Sequence, residues 1–242
     1  MKKDKLFTKR VNNAMNFDFG PETAEVFNDM LERSVPLYGE LQRMIGEISS
    51  EFAQDGTNVY DLGCSTGITL ASIDRSVNKN IKLIGVDYSK AMLDKCRARF
   101  SDDKISKTYE LICKDLNDGM IINNASVVVL NLTLQFVRPL YRDNIIRDIY
   151  NGLAHKGCLI LIEKVIGNDS TFNSLFIKFY YEMKKRNGYS ELEIARKRES
   201  LENVLVPYRL DENKQLLIRN GFSYVDVFYK WYNFCGIIAI KQ

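Results

Sequence analysis

The sequence predicts an α/β fold: a mostly parallel seven-stranded sheet, with a helical insertion after the fifth strand and a C-terminal antiparallel hairpin. Three observations predict it. Short apolar runs alternate with helical segments between residues 58 and 163, the pattern of parallel strands joined by right-handed crossovers. The run Val127-Val128-Val129-Leu130 is unbroken, as a strand buried on both faces requires. An apolar run ending in Val59-Tyr60 delivers an acid into Asp61-Leu62-Gly63-Cys64-Ser65-Thr66-Gly67. Only small side chains let a backbone turn sharply off a strand end and close on a ligand.

The elements follow in order. Residues 1–20, with Asn12, Asn13, Asn16 and Gly20, have no clear period and read as an arm able to fold over the domain. Residues 24–33 and 38–52 read as helices; in the second, Leu41, Met44, Ile45 and Ile48 recur at three- and four-residue steps. Strand one is expected at 58–62, a helix at 66–75 and strand two at 81–86. Ser89 caps a helix to Arg99. Strand three is expected at 109–113 and strand four at 125–131. Pro139 suits a first helical turn and opens a helix to about Leu153, which Gly157 closes off. Strand five spans 158–163.

Two helical segments then come in succession, 170–185 and 191–204, with Ser190 and Glu193 spaced as a capping box for the second. They read as an insertion covering the ligand end of the sheet. A helix at 212–220 precedes the hairpin, 224–229 and 234–240. Without repeats or linkers the chain reads as one domain over 1–242, with an N-terminal helical arm over 1–53 and the insertion at about 170–204.

Composition narrows the function classes. At 242 residues and 45% apolar the chain can bury a full core. Its charge of +3, from 34 basic and 31 acidic residues, is too balanced for a dedicated nucleic-acid binder. Cys64, Cys96, Cys113, Cys158 and Cys235 are scattered, without a C-x-x-C pair; neither a disulfide framework nor a metal site is implied, and a cytoplasmic location is expected. No apolar signal segment follows Met1-Lys2-Lys3-Asp4-Lys5. The longest apolar run, 125–137, is interrupted by Ser126, Asn131, Thr133 and Gln135 and is too short to span a bilayer.

Ligands of open sheets sit at the carboxyl ends of the strands. Here those ends bring Asp61 and the Gly63-Cys64-Ser65 turn, Asp87, Asp115 and Asn131: acids and an amide, with no base. The G-x-G-x-x-G dinucleotide pattern is absent, as is a phosphate-loop Gly-Lys-Ser/Thr. A sulfonium nucleoside carries no phosphate and is itself positive, so it suits a small-residue turn surrounded by acids.

This pattern resembles the Rossmann-like class I S-adenosylmethionine-dependent methyltransferase fold. More specific segments are Ala24-Glu25-Val26-Phe27, Arg33-Ser34-Val35-Pro36, Val129-Leu130-Asn131-Leu132-Thr133-Leu134-Gln135-Phe136, Asn187-Gly188-Tyr189-Ser190-Glu191-Leu192-Glu193-Ile194 and Lys197-Arg198-Glu199-Ser200-Leu201-Glu202-Asn203-Val204. Together, from about residue 17 to the end, the chain resembles the carboxy-S-adenosyl-L-methionine synthase family.

The resemblance implies a transferase that converts S-adenosyl-L-methionine and prephenate to carboxy-S-adenosyl-L-methionine and phenylpyruvate. The product would pass to a tRNA-modifying enzyme that forms 5-oxyacetyluridine at the wobble position. It implies a homodimer, no metal, and ligand contacts at Tyr38, Gly63, Cys64, Ser65, Asp87, Tyr88, Asp115, Leu116, Asn131 and Arg198. By the same resemblance Asp61 and the Gly63 turn face the methionine part, Asp87 the ribose and Asp115 the adenine. Tyr88 departs from the family's usual Asn; a backbone contact there survives the change, and the ring is free to lie against ribose or adenine.

Arg198 is the candidate catalytic residue. Carboxylation places a new carboxylate beside the sulfonium, and an Arg fork holds a carboxylate with charge-assisted bonds worth roughly 1.5–3 kcal/mol; whether it acts in its own subunit or a neighbour's is open. No general base stands out: His155 reads as a cap or surface residue at a helix end. That fits the substrate-assisted route proposed for the family, in which prephenate releases carbon dioxide and hydroxide, and hydroxide deprotonates the sulfonium methyl to give an ylide that captures the carbon dioxide. Cys64 is read as a backbone contact, Phe172, Phe176, Phe179 and Tyr180 as packing or a subunit interface, and Trp231 as packing. The competing functions are an ordinary S-adenosylmethionine-dependent methyltransferase on a small molecule or RNA, and a non-catalytic cofactor-binding partner of a tRNA-modifying enzyme.

Overall fold

A computed structural model describes residues 2–8 and 17–242. Asn12, Asn13 and Asn16 of the arm lie outside the described residues. Two helices come first, α1 (Pro21–Ser34) and α2 (Tyr38–Phe52). Then follow β1 (Thr57–Leu62), α3 (Ile68–Ser76), β2 (Ile81–Asp87), α4 (Lys90–Asp102), β3 (Thr108–Cys113), β4 (Ala125–Asn131), α5 (Pro139–Gly152) and β5 (Leu153–Ile166). The remainder is α6 (Ser170–Arg186), α7 (Glu191–Leu201), β6 (Tyr208–Arg209), α8 (Leu210–Arg219), β7 (Tyr224–Trp231) and β8 (Phe234–Ile240).

The main sheet runs β3-β2-β1-β4-β5-β8-β7. Its first five strands are parallel, and β8 runs antiparallel to both β5 and β7. The predicted seven strands are therefore present, and the two-residue β6 adds a parallel pairing to the far end of β5. Alternate residues feed two cores. Tyr60, Leu62, Val128 and Leu130 pack with Ile145 and Ile149 of α5 and Leu217 of α8. Val59, Val127 and Val129 pack with Leu41 and Ile45 of α2, Leu70 of α3 and Leu93 of α4. The sheet lies between two helical layers, and its order reverses at β1/β4, where an open parallel sheet presents a crevice.

The punctuation works locally. Ser89 Oγ accepts from the Met92 backbone N–H and starts α4, Pro139 occupies the first turn of α5, and the Ser190/Glu193 capping box starts α7. Two boundaries differ most. Helix α7 ends at Leu201, not at 204. Helix α5 ends at Gly152, one residue from the expected Leu153, but β5 starts at once at Leu153 instead of at 158, so His155 lies exposed within β5 rather than at a helix end. The cause is close approach: a Cβ on Gly152 would lie 2.2 Å from the Ile122 carbonyl oxygen. Glycine there lets the chain pass the β4 entry and begin β5 early. Phe176 and Phe179 pack on Tyr232, and Trp231 packs on Tyr232 and Phe234. Among the described residues no helix is long and apolar enough to cross a membrane.

Candidate active site

The turn after β1 is built on three left-handed residues: Gly63 (φ +82°), Ser65 (φ +45°) and Gly67 (φ +78°). Backbone N–H groups of Gly63 and Cys64 both donate to the Val86 carbonyl of β2, at 2.7 and 3.0 Å. Asp87, at the end of β2, clamps the turn: Oδ2 accepts from Ser65 N at 2.9 Å and Oδ1 from Ser89 N at 2.8 Å. Burial pushes its carboxyl up while those two N–H groups pull it down. Each oxygen keeps a lone pair for a ligand hydroxyl.

Above this turn lies a cavity of about 360 Å³. Tyr38, Gly63, Cys64, Ser65, Asp87, Tyr88, Asp115, Leu116 and Asn131 all line it, so the structure brings together nine of the eleven residues singled out from sequence. Asp61 stands behind the wall, 1% exposed. Arg198 is exposed and does not line the cavity of its own chain. Its neighbour Lys197 does, 7% exposed, while Arg196 donates to the Phe7 and Thr8 carbonyls of the N-terminal arm. The basic triplet thus splits three ways. The spacing contained the signal: Ile194 and Leu201 flank Lys197 at three and four residues, placing it on the inward face of α7.

Two buried acceptors, one in the lining and one behind it, lack donors. Asp61 Oδ1 and Asn131 Oδ1 are buried without a hydrogen-bond partner, although Asn131 Nδ2 donates to Thr69 Oγ1 at 3.2 Å. Burial, aided by Asp87, pushes the Asp61 carboxyl up to about 8. Two orphaned buried acceptors fit a ligand that brings donors and positive charge, as the amino and sulfonium groups of S-adenosylmethionine do. Asp115 Oδ1 accepts from the backbone and side chain of Asn117, both at 2.8 Å, and shapes the loop that carries Leu116. Hydrogen bonding to Cys96, then burial, pushes the Cys64 thiol well up, so it stays protonated and is no nucleophile.

An aromatic wall was not foreseen. Phe17, Phe19, Phe27 and Phe136 line the same cavity, with Phe19 edge-on to Phe136 at 5.2 Å and to Tyr88 at 6.0 Å. Ser89 Oγ donates to the Phe19 carbonyl at 2.6 Å, pinning the arm over the site. Tyr88 itself is 52% exposed. These rings come from separate segments, and no local period links them.

Fold and site together define an S-adenosylmethionine-binding protein of the class I methyltransferase type. A family model described as a methyltransferase domain matches residues 59–157. A putative S-adenosyl-L-methionine-dependent methyltransferase from Methanococcus maripaludis shares the fold, with a TM-score of 0.61 at 19% identity over 97% of this chain and 98% of that one. The carboxy-S-adenosyl-L-methionine synthase of Methylococcus capsulatus is 54% identical over all 242 residues, 100% of each chain. That of Desulforapulum autotrophicum is 44% identical over 100% of this chain and 98% of its own. The chain belongs to the carboxy-S-adenosyl-L-methionine synthase family.

Proposed function

We propose that this protein makes carboxy-S-adenosyl-L-methionine from S-adenosyl-L-methionine and prephenate, releasing phenylpyruvate, in the cytoplasm. Its product then serves a tRNA-modifying enzyme acting on the wobble uridine. The observation that carries this reading is full-length 54% identity to a synthase of that name, joined to a cavity whose Asn131 oxygen, with the Asp61 carboxyl buried behind it, lacks a donor. The sulfonium supplies the methyl carbon that receives the carboxyl group. The chain's residues bind, orient and exclude water: Asp87 and the Gly63 turn hold the nucleoside, and the phenylalanine wall closes over it. The five cysteines are all free, in keeping with a reducing compartment.

Purified protein incubated with S-adenosylmethionine and prephenate is expected to yield phenylpyruvate and a cofactor heavier by carbon dioxide, read by mass spectrometry. S-adenosylhomocysteine as product, or no product from folded protein, overturns the reading. Arg198, turned outward in its own chain, is proposed to enter the cavity of a second copy in a homodimer. Arg198→Ala is expected to weaken the carboxylated cofactor by about 10- to 150-fold relative to S-adenosylmethionine, the loss of a charge-assisted bond. Calorimetric titration of both ligands checks this; an unchanged affinity ratio removes Arg198 from the carboxylate.

A further inference from the structure

Three lysines from different elements converge on two tyrosine rings. Lys164 Nζ, from β5, lies 5.0 Å from the centre of Tyr180, and Lys184 Nζ, from α6, lies 5.6 Å from Tyr180 and 5.2 Å from Tyr189. Lys197 Nζ, from α7, is 5.7 Å from Tyr189 and donates to Ser34 Oγ at 3.2 Å. Lys184 and Lys197 are 4% and 7% exposed. Lys164, Lys197, Tyr180 and Ser34 line the same cavity as Asn131.

These charges are not neutralised from within. Among the described residues none of the three ammonium groups has a carboxylate within ion-pair distance. The nearby acids have other partners. Asp4 accepts from the Tyr189 hydroxyl at 2.6 Å, Asp29 pairs with Arg33 at 3.2 Å, and Glu193 caps α7 through Ser190. Arg33 adds a fourth cation, 3.9 Å from the Tyr189 ring. Burying like charges together is unfavourable unless something of opposite sign completes the site. Burial, then Lys184, pushes Lys197 down to about 7; burial, then Lys164, pushes Lys184 down to about 8.

We propose that Lys164 and Lys197, with Lys184 behind them, form a carboxylate-binding subsite that holds an anionic group of the second substrate within the cofactor cavity. This rests on the synthase reading above and extends it. The cavity then makes two opposite demands: the orphaned Asn131 oxygen, with Asp61 behind the wall, suits a cationic ligand, and the ammonium groups without carboxylate partners suit an anionic one. S-adenosylmethionine brings one carboxylate of its own, and the comparison of its affinity with that of phenylpyruvate tells the two anions apart.

The test uses full-length protein loaded with S-adenosylhomocysteine and titrated calorimetrically with phenylpyruvate, the monocarboxylate product. Lys197→Met and Lys164→Met are each expected to weaken phenylpyruvate binding at least about tenfold while S-adenosylmethionine affinity stays within about threefold. Lys197→Arg keeps most of the affinity. Thermal melting shows whether each variant is folded, and neutral Met at a buried position removes a desolvation cost rather than adding one. At pH 8 the parent is expected to take up protons as phenylpyruvate binds, because Lys197 charges against the anion. Arg33, Asp4, Lys164 and Lys184 are the charged groups facing it. Titration in two buffers of different ionisation enthalpy reads this uptake, which is lost in Lys197→Met.

Unchanged phenylpyruvate affinity in folded variants, or no phenylpyruvate binding by the parent, overturns the subsite. A parallel loss of S-adenosylmethionine affinity also overturns it, because the lysines then hold the cofactor's own carboxylate. Failure of prephenate turnover with phenylpyruvate binding intact would instead sink the synthase reading and leave the subsite standing.

Discussion

Asp61→Asn is expected to weaken S-adenosylmethionine binding by about 30- to 150-fold, or roughly 2–3 kcal/mol. The buried carboxylate has an oxygen with no partner and stands just behind the cavity wall, where its charge reaches the ligand's cationic end with little water between to screen it. The pH dependence should be as informative as the loss. Burial and Asp87 push the free Asp61 carboxyl up to about 8, and a cation prefers its ionised form. Affinity should therefore tighten about tenfold per pH unit between pH 6 and 7 and level off above 8. In Asp61→Asn this slope disappears. Stability of the unliganded protein moves the other way. From pH 3.8 to about 8 the folded chain holds a proton on Asp61 that the unfolded chain has released. Asp61's contribution is complete below 3.8 and is lost as the pH rises through 8. Binding titrations across this range check the first statement, and thermal melts of parent and Asp61→Asn the second. A parent affinity flat from pH 6 to 8 would remove Asp61 from the cationic end.

Gly63→Ala is expected to cost roughly 2–5 kcal/mol of stability, made of two separable parts. The left-handed φ of +82° costs a non-glycine residue roughly 1–2 kcal/mol. The added Cβ would also lie 2.5 Å from Thr133 Cγ2, an overpacking cost of roughly 1–3 kcal/mol. Each kcal/mol lowers Tm by about 2–4 °C in a chain of this size. Adding Thr133→Ala should recover the packing part and leave the backbone part. Cofactor affinity should fall in Gly63→Ala, because Gly63 and Thr133 line the cavity from the turns after the neighbouring strands β1 and β4. Full recovery by Thr133→Ala would show that the positive φ carries no cost.

The sheet was legible because its signals are local. The runs of β1 to β4, the Ser89 and Ser190 caps and the turn at Gly63 each depend on a few neighbouring residues, and the structure places them where the pattern put them. The start of β5 was not legible, because it depends on the backbone of Ile122 pressing on Gly152, a contact between segments. The same division runs through the site. Acids and turn residues at strand ends can be found by position alone. Seeing that Lys197 faces the cavity of its own chain while Arg198 faces outward means resolving one residue's rotation, about 100° around a helix; the resemblance to the family implies Arg198 and is silent on Lys197. The phenylalanine wall lay outside sequence reasoning because its rings meet only after the arm folds across Ser89.

Asp4 is bonded to Tyr189, 185 residues later in the chain, and Arg196 holds the carbonyls of Phe7 and Thr8. During synthesis residues 4–8 must therefore wait until some 185 further residues have been made before their partners exist. Contacts of such long sequence separation form late, because the loop they close is large. The five parallel strands can assemble while the cavity still stands open on the side of α7, and the segment around Asp4 is made well before it can be fixed in place.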